Sequence, residues 1–125
     1  MLANSNIVAF APTTNQARAI GFYRDKLGLE LKAHDGFAAT FDARGITLRV
    51  SSVPEPFHPQ PFTILGWSVA DIASTVGELQ SAGVVFERYP QVQQDELGIW
   101  TVPGGAAKVA WFKDPDGNIL SLTEA

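Results

Sequence analysis

Residues 112–122, FKDPDGNILSL, read as one strand, a tight turn and a second strand. Asp114-Pro115-Asp116-Gly117-Asn118 supplies the turn. Asp and Asn side chains accept local backbone hydrogen bonds, proline presets φ, and Gly117 provides a positive φ. The same arrangement occurs earlier as FDARGITLRV, residues 41–50, once one residue is inserted in the turn. Under that alignment Arg49 and Ser121 occupy one position. Working outward extends the match: IVAF at 7–10 corresponds to ILGW at 64–67. LGLEL at 27–31 and AGVVF at 82–86 each close a helix and open a strand. Two copies of a unit of about 55 residues decide the fold.

Each copy has the same local grammar. NIVAFA (6–11) is a short, apolar, β-branched run and predicts a strand. Thr13 and Gln16 then stand at capping-box spacing. Ile20, Tyr23 and Leu27 follow at the period of an amphipathic helix, which Gly28 ends. LELKAH, FAATFD and ITLRVSS alternate apolar with other residues and predict three strands. In the second copy TILGWSV (63–69) is a strand, Asp71 an N-cap, and Ile72, Val76, Leu79 and Gly83 one helical stripe. VVFERY, KVAWFK and NILSLT are the expected remaining strands. A long Gln- and Gly-rich connection between Tyr89 and Lys108 carries Trp100, and such loops are often binding elements.

The resulting expectation is an α+β fold of two tandem βαβββ modules in a single domain over 1–125. Module 1 spans 1–52 and module 2 spans 63–125. Between them VPEPFHPQPF (53–62) places four prolines in ten residues, which removes backbone donors and makes a linker. At 125 residues, with 46% apolar and 18% charged residues, the chain is long enough for a core and is globular. A net charge of −4 without a basic cluster disfavours nucleic acid. The chain has no cysteine, hence no disulfide, thiol chemistry or thiolate metal site. No apolar run reaches membrane-span length, and MLANSNIVAF lacks the features of a signal peptide, so a cytoplasmic location is expected.

With FYRDKLGLEL closing the first helix and DPDGNILSL opening the last strand, this tandem pair resembles the vicinal oxygen chelate superfamily. Glyoxalase I, extradiol dioxygenases, fosfomycin-resistance proteins and bleomycin-binding proteins are members. The resemblance covers essentially the whole chain. It implies a cupped mixed sheet around a cleft, usually within a homodimer. Metal-dependent members carry His, Glu or Gln at one inward position on the first and last strand of each module. Those positions fall here on Ile7, Arg49, Ile64 and Ser121. Two are aliphatic, Arg49 is a permanent cation that repels a divalent ion, and Ser121 alone cannot hold one. The expectation is a metal-free member with no cofactor and no catalytic residue.

Period-two alternation then separates the sheet faces. Val8, Phe10, Ile46, Leu48, Val50, Leu65, Trp67, Leu120 and Leu122 are assigned to the helix side. Ile7, Ala9, Thr47, Arg49, Ser51, Ile64, Gly66, Ser68, Ile119, Ser121 and Thr123 are assigned to the cleft. Phe112 and Ala110 should pack under the helices, turning Trp111 and Val109 toward the cleft. Candidate ligand-binding residues are Arg49, Thr47, Ser121, Trp100 and Trp111. An inward Arg49 requires either a structural carboxylate or an anionic or carbonyl-bearing ligand. His34 and His58, at a strand end and in the proline linker, read as surface residues. No Ser-His-Asp or paired-carboxylate arrangement can be assembled.

These features point to a small-molecule-binding protein of the bleomycin-resistance-like kind. It would sequester an aromatic or amphipathic, antibiotic-like compound as a homodimer. The alternative is a glyoxalase- or dioxygenase-related lyase or isomerase with a displaced metal site.

Overall fold

The computed structural model describes all residues, 1–125. Eight strands and two helices follow in the order β1 (Val8–Thr13), α1 (Gln16–Ile20), β2 (Glu30–His34), β3 (Ala38–Ala43), β4 (Ile46–Ser52), β5 (Thr63–Ser68), α2 (Ile72–Ser81), β6 (Trp100–Thr101), β7 (Lys108–Lys113) and β8 (Ile119–Glu124). They form two four-stranded sheets, ordered β1-β4-β3-β2 and β5-β8-β7-β6. The orders are the same once the second module is counted from its own first strand. In each sheet the first and fourth strands of the module run parallel and the other pairs antiparallel. The tandem βαβββ repeat is therefore the architecture, and the chain divides into compact units Met1–His58 and Pro59–Ala125.

In Met1–His58, Asn15 caps α1: its side chain accepts the Arg18 amide at 3.0 Å. Thr13 instead accepts the Asn15 amide at 3.1 Å, so the Thr13–Gln16 capping box is replaced by an Asn cap two residues later. Beyond Ile20 the helix widens over Gly21–Lys26, and the Leu27 amide reaches the Phe22 carbonyl five residues back at 3.0 Å. Gly28, at φ 76°, ends it as expected. Ala19, Phe22 and Tyr23 bury their side chains with Phe41, Leu48 and Val50, and the Tyr23 and Phe41 rings lie 5.8 Å apart.

The strand register corrects one assignment of faces. In a ladder, paired residues share a face. Phe10 pairs with Arg49 and Val8 with Thr47, whereas Ala9 and Ala11 pair with the buried Leu48 and Val50. Phe10 is 59% exposed and Ala11 only 1%. Val8 and Phe10 therefore belong to the open face, not the helix side, and Ala9 moves the other way. Ile7 precedes β1 and is exposed. Size misled the sequence reading: small alanines line the helix side of β1, while larger apolar residues stand on its open face.

In Pro59–Ala125, Asp71 caps α2 by accepting the Ser74 amide at 3.1 Å. The Glu124 carboxylate accepts the Ile72 amide at 3.0 Å, tying the end of β8 to the same helix start. Val76 and Ile72 are buried, as are Ala110, Phe112, Leu120 and Leu122. Trp67 stacks on the buried Phe112 with ring centroids 6.4 Å apart and is itself half-buried, at the margin of the core. The DPDGN turn is built as its composition requires. Asp114 accepts the amides of Asp116 and Asn118 at 2.9 and 3.0 Å, and Gly117 takes φ 85°.

VVFERY is not a strand. Only Phe86 bridges to Phe112, and the strand at this edge is Trp100–Thr101 instead. The Gln94 side chain explains the exchange. Its Oε1 accepts the Tyr89 amide at 2.7 Å, and its Nε2 donates to the Glu87 and Gly98 carbonyls at 2.9 and 2.8 Å. One primary amide takes the hydrogen bonds that a neighbouring strand would otherwise supply.

Candidate functional site

β8 is the central strand that sets the site in sheet 2. Ser121 pairs with Gly66 of β5 on one side and Trp111 of β7 on the other, so the three stand in a row on the open face. The gap left by Gly66 is used. A Cβ there would lie 2.6 Å from Ser121 Oγ but 3.9 Å from Ser121 Cβ, so the hydroxyl leans along the sheet toward β5. Trp111 is half-buried beside it. Its ring meets Tyr89 edge-on, with centroids 5.4 Å apart and planes at 82°. Trp100 lies against it nearly parallel, at 6.0 Å and 25°. Both geometries are the favoured ones for aromatic pairs, each contributing about 0.5–1.5 kcal/mol beyond area burial.

Beside this wall is a cavity of about 310 Å³. Trp111 and Ile119 line it from β7 and β8, Thr63 from the start of β5, and Pro61 and Phe62 from just before that strand. Tyr89, Gln91 and Val92 complete it from the connection after α2. A second hollow of about 600 Å³ lies on the same connection and includes Trp100, Gln93 and Pro103. The first is the better ligand site on chemical grounds, since apolar and aromatic walls with a few polar groups are what small-molecule sites share.

The connection is held by its own side chains. Besides Gln94, Asp95 accepts the Leu97 and Ile99 amides, both at 2.9 Å, and Arg88 donates to the carbonyls of Asp95 and Glu96. Lys113 lies 3.6 Å from Glu87. The Tyr89 hydroxyl is out of contact with solvent and has no hydrogen-bond partner. Burial first, and the nearby Glu87 carboxylate second, push its pKa above the usual 10.0, so it remains a neutral donor.

The five residues singled out in the sequence fall into two groups. Trp100, Trp111 and Ser121 are brought together in sheet 2. Arg49 and Thr47 share the open face of sheet 1. Arg49 stands in register between Phe10 and Thr40, half-buried, and its guanidinium forms no ion pair or hydrogen bond. A structural carboxylate partner is thus absent from its surroundings at ion-pair distance. Its field still reaches Asp35. That carboxylate is held below the usual 3.8 chiefly by the Phe37 and Ala38 amides, at 2.8 and 2.9 Å, with smaller help from Arg49 and His34.

Tyr89, Gln91, Gln94 and Phe62 went unrecognised in the sequence. The only signal for the first three was the length of their connection, because the tertiary pairing of Tyr89 with Trp111 has no local pattern. The strand positions that would hold a divalent ion do not fit one. Register puts Phe10 beside Arg49 and Gly66 beside Ser121, and neither side chain has a donor atom. Ile64 sits at an irregularity of the β5–β8 ladder without a partner of its own. No group of three or more His, Asp or Glu side chains is gathered to hold a metal. His34 and His58 are both exposed.

Comparison with known proteins agrees with this architecture. Residues 6–122 match the model of the Glyoxalase/Bleomycin resistance protein/Dioxygenase superfamily, and the chain belongs to that superfamily. Among solved structures, integron cassette protein HFX_CASS4 from the mobile metagenome of the Halifax Harbour sewage outfall is similar with a TM-score of 0.76 at 20% identity, covering 98% of this chain and 99% of that one. Lactoylglutathione lyase from Agrobacterium tumefaciens gives 0.72 at 18% identity, over 97% and 94% of the two chains. A glyoxalase/bleomycin resistance protein/dioxygenase from Alicyclobacillus acidocaldarius gives 0.69 at 18%, over 97% and 91%. At these identities the likeness is one of fold. No curated protein matches the sequence.

Proposed function

We propose that this member of the superfamily is a metal-independent small-molecule-binding protein that sequesters an aromatic or amphipathic compound, of the kind to which antibiotics belong. The observation that carries the reading is the cavity walled by Trp111 and Tyr89, with Trp100 backing Trp111 and Ser121 beside it. Binding would draw on aromatic surface burial and a few placed hydrogen bonds, and sequestration needs affinity but no bond making or breaking. Arg49 and Thr47 are a separate proposed contact surface on sheet 1, suited to an acidic or carbonyl group. The unpaired guanidinium supports that role.

No helix is long and apolar enough to cross a membrane. A cytoplasmic homodimer is part of the proposal. The exposed Val8 and Phe10 of the open face support the second half of it, because large apolar side chains in water favour a partner. The test is tryptophan fluorescence. Planar apolar compounds should change the emission of Trp111 and Trp100, and Trp111→Ala should remove the response. Metal analysis after dialysis against nickel, manganese and zinc should find no stoichiometric ion. An ion bound at one per chain, with lyase or isomerase activity, would replace this reading by the enzymatic one.

A further inference from the structure

The cavity beside Trp111 carries no charged side chain. Its polar residues are Thr63, Gln91 and Tyr89, the last with its hydroxyl turned out of contact with solvent. Neighbouring charges are already spent on one another or on backbone: Lys113 with Glu87, and Arg88 with the carbonyls of Asp95 and Glu96. A charged group held against its wall would lose hydration without gaining a counter-charge, which disfavours it. An uncharged ligand loses little. Tyr89 adds a second preference, because its hydroxyl is a donor with no acceptor in the folded chain, and a buried donor is costly until it is satisfied.

We propose, building on the binding reading above, that this cavity selects an uncharged planar compound bearing a carbonyl-type acceptor, which takes the hydrogen bond of the Tyr89 hydroxyl. The cavity volume of about 310 Å³ suits a compound of bicyclic size. Trp111 supplies the face against which its plane packs. Gln94 holds the Tyr89 backbone amide at 2.7 Å. The ring itself is only half-buried. Because the hydroxyl is out of contact with solvent, reaching an acceptor in the cavity requires a rotation of the Tyr89 side chain about its held backbone.

The test is isothermal titration of the full chain with three probes: coumarin, coumarin-3-carboxylate and naphthalene. Coumarin is neutral with a lactone carbonyl, its carboxylate adds one charge, and naphthalene has the plane without the acceptor. Coumarin is expected to bind about tenfold or more tightly than the carboxylate. Tyr89→Phe should weaken coumarin about five- to tenfold and leave naphthalene unchanged. Trp111→Ala should weaken both neutral probes. Equal binding of coumarin and its carboxylate overturns the charge selection. Equal binding of coumarin to wild type and Tyr89→Phe overturns the acceptor role. In both cases the sequestration reading survives. If none of the three probes binds, the binding reading itself fails.

Discussion

Substituting Gly66→Ala tests the geometry on which the sheet 2 site rests. The added methyl would stand 2.6 Å from Ser121 Oγ and 3.4 Å from the Ser121 carbonyl oxygen. Cβ atoms essentially never come closer than 3.0 Å to a neighbour, so something must retreat by about 0.4 Å or the Ser121 side chain must leave its rotamer. Overpacking of this kind costs about 1–3 kcal/mol. Gly66 is not at positive φ, so alanine recovers about 0.5–1 kcal/mol by restricting the unfolded chain. The net expectation is a loss of about 1 kcal/mol, or roughly 3–6 °C in Tm for a chain of this length. Ser121→Ala removes the Oγ and leaves Cβ at 3.9 Å, an ordinary contact. Ser121→Ala alone should be nearly neutral, and the double variant should recover most of the loss. Urea and thermal unfolding of the four proteins give the coupling directly. If Gly66→Ala is as stable as wild type, or if its penalty persists in the Ser121→Ala background, then the Ser121 hydroxyl does not lean toward β5 as described.

Gln94→Leu leaves the Tyr89 amide and the Glu87 and Gly98 carbonyls without partners. It should cost about 2–3 kcal/mol and weaken coumarin binding through displaced Tyr89, with the near-ultraviolet circular dichroism of Trp100 and Trp111 altered. Arg49→Ala removes no ion pair or hydrogen bond and should lower the unfolding midpoint at neutral pH only slightly, through the loss of its weak field at Asp35. It should also raise the Asp35 pKa, read by carboxyl NMR, without bringing it fully back to 3.8, because the Phe37 and Ala38 amides remain. The sign follows from linkage. A depressed carboxylate contributes stability above its unfolded pKa and loses it as pH falls through the folded value, so the small loss caused by Arg49→Ala should be present at neutral pH and disappear in acid, where Asp35 is protonated in both proteins. Unfolding of Arg49→Ala at neutral pH would instead make Arg49 a structural residue.

The architecture was legible because each of its devices is local. The repeat of FDARGITLRV in FKDPDGNILSL fixed equivalent hairpins, Asp71 and Gly28 punctuated the helices, and DPDGN carried its own turn chemistry. The failures were tertiary. Side-chain size assigned Val8 and Phe10 to the core, yet the parallel register with β4 puts alanines there, with Ala11 buried beside Val50. VVFERY has the alternation of a strand, but a glutamine ten residues beyond its first valine took over its hydrogen bonds. Trp100 and Trp111 could be picked out as aromatic candidates. That Tyr89 joins them could not be read, since nothing in QVQQDELG announces that its fourth residue staples the connection.

The row Gly66–Ser121–Trp111 bears on why this sheet would bind without chemistry. A metal-holding strand must project long donor side chains away from the sheet so that several converge on one ion. Here the central position is a short hydroxyl that leans sideways into a gap left by glycine, and its other neighbour is an indole packed against Trp100 and Tyr89. Those choices reinforce one another: a small residue on β8 leaves room for Trp111 to lie against Tyr89 and Trp100, and a flat apolar wall recognises planes rather than charges. Replacing Ser121 by glutamate would therefore do more than add one ligand. The carboxylate would have to displace either the packing over Gly66 or the Trp111 wall, and with no second donor at Gly66 it should destabilise the fold without gaining a metal. Nickel or manganese raising the Tm of Ser121→Glu above that of wild type would contradict this account of the row.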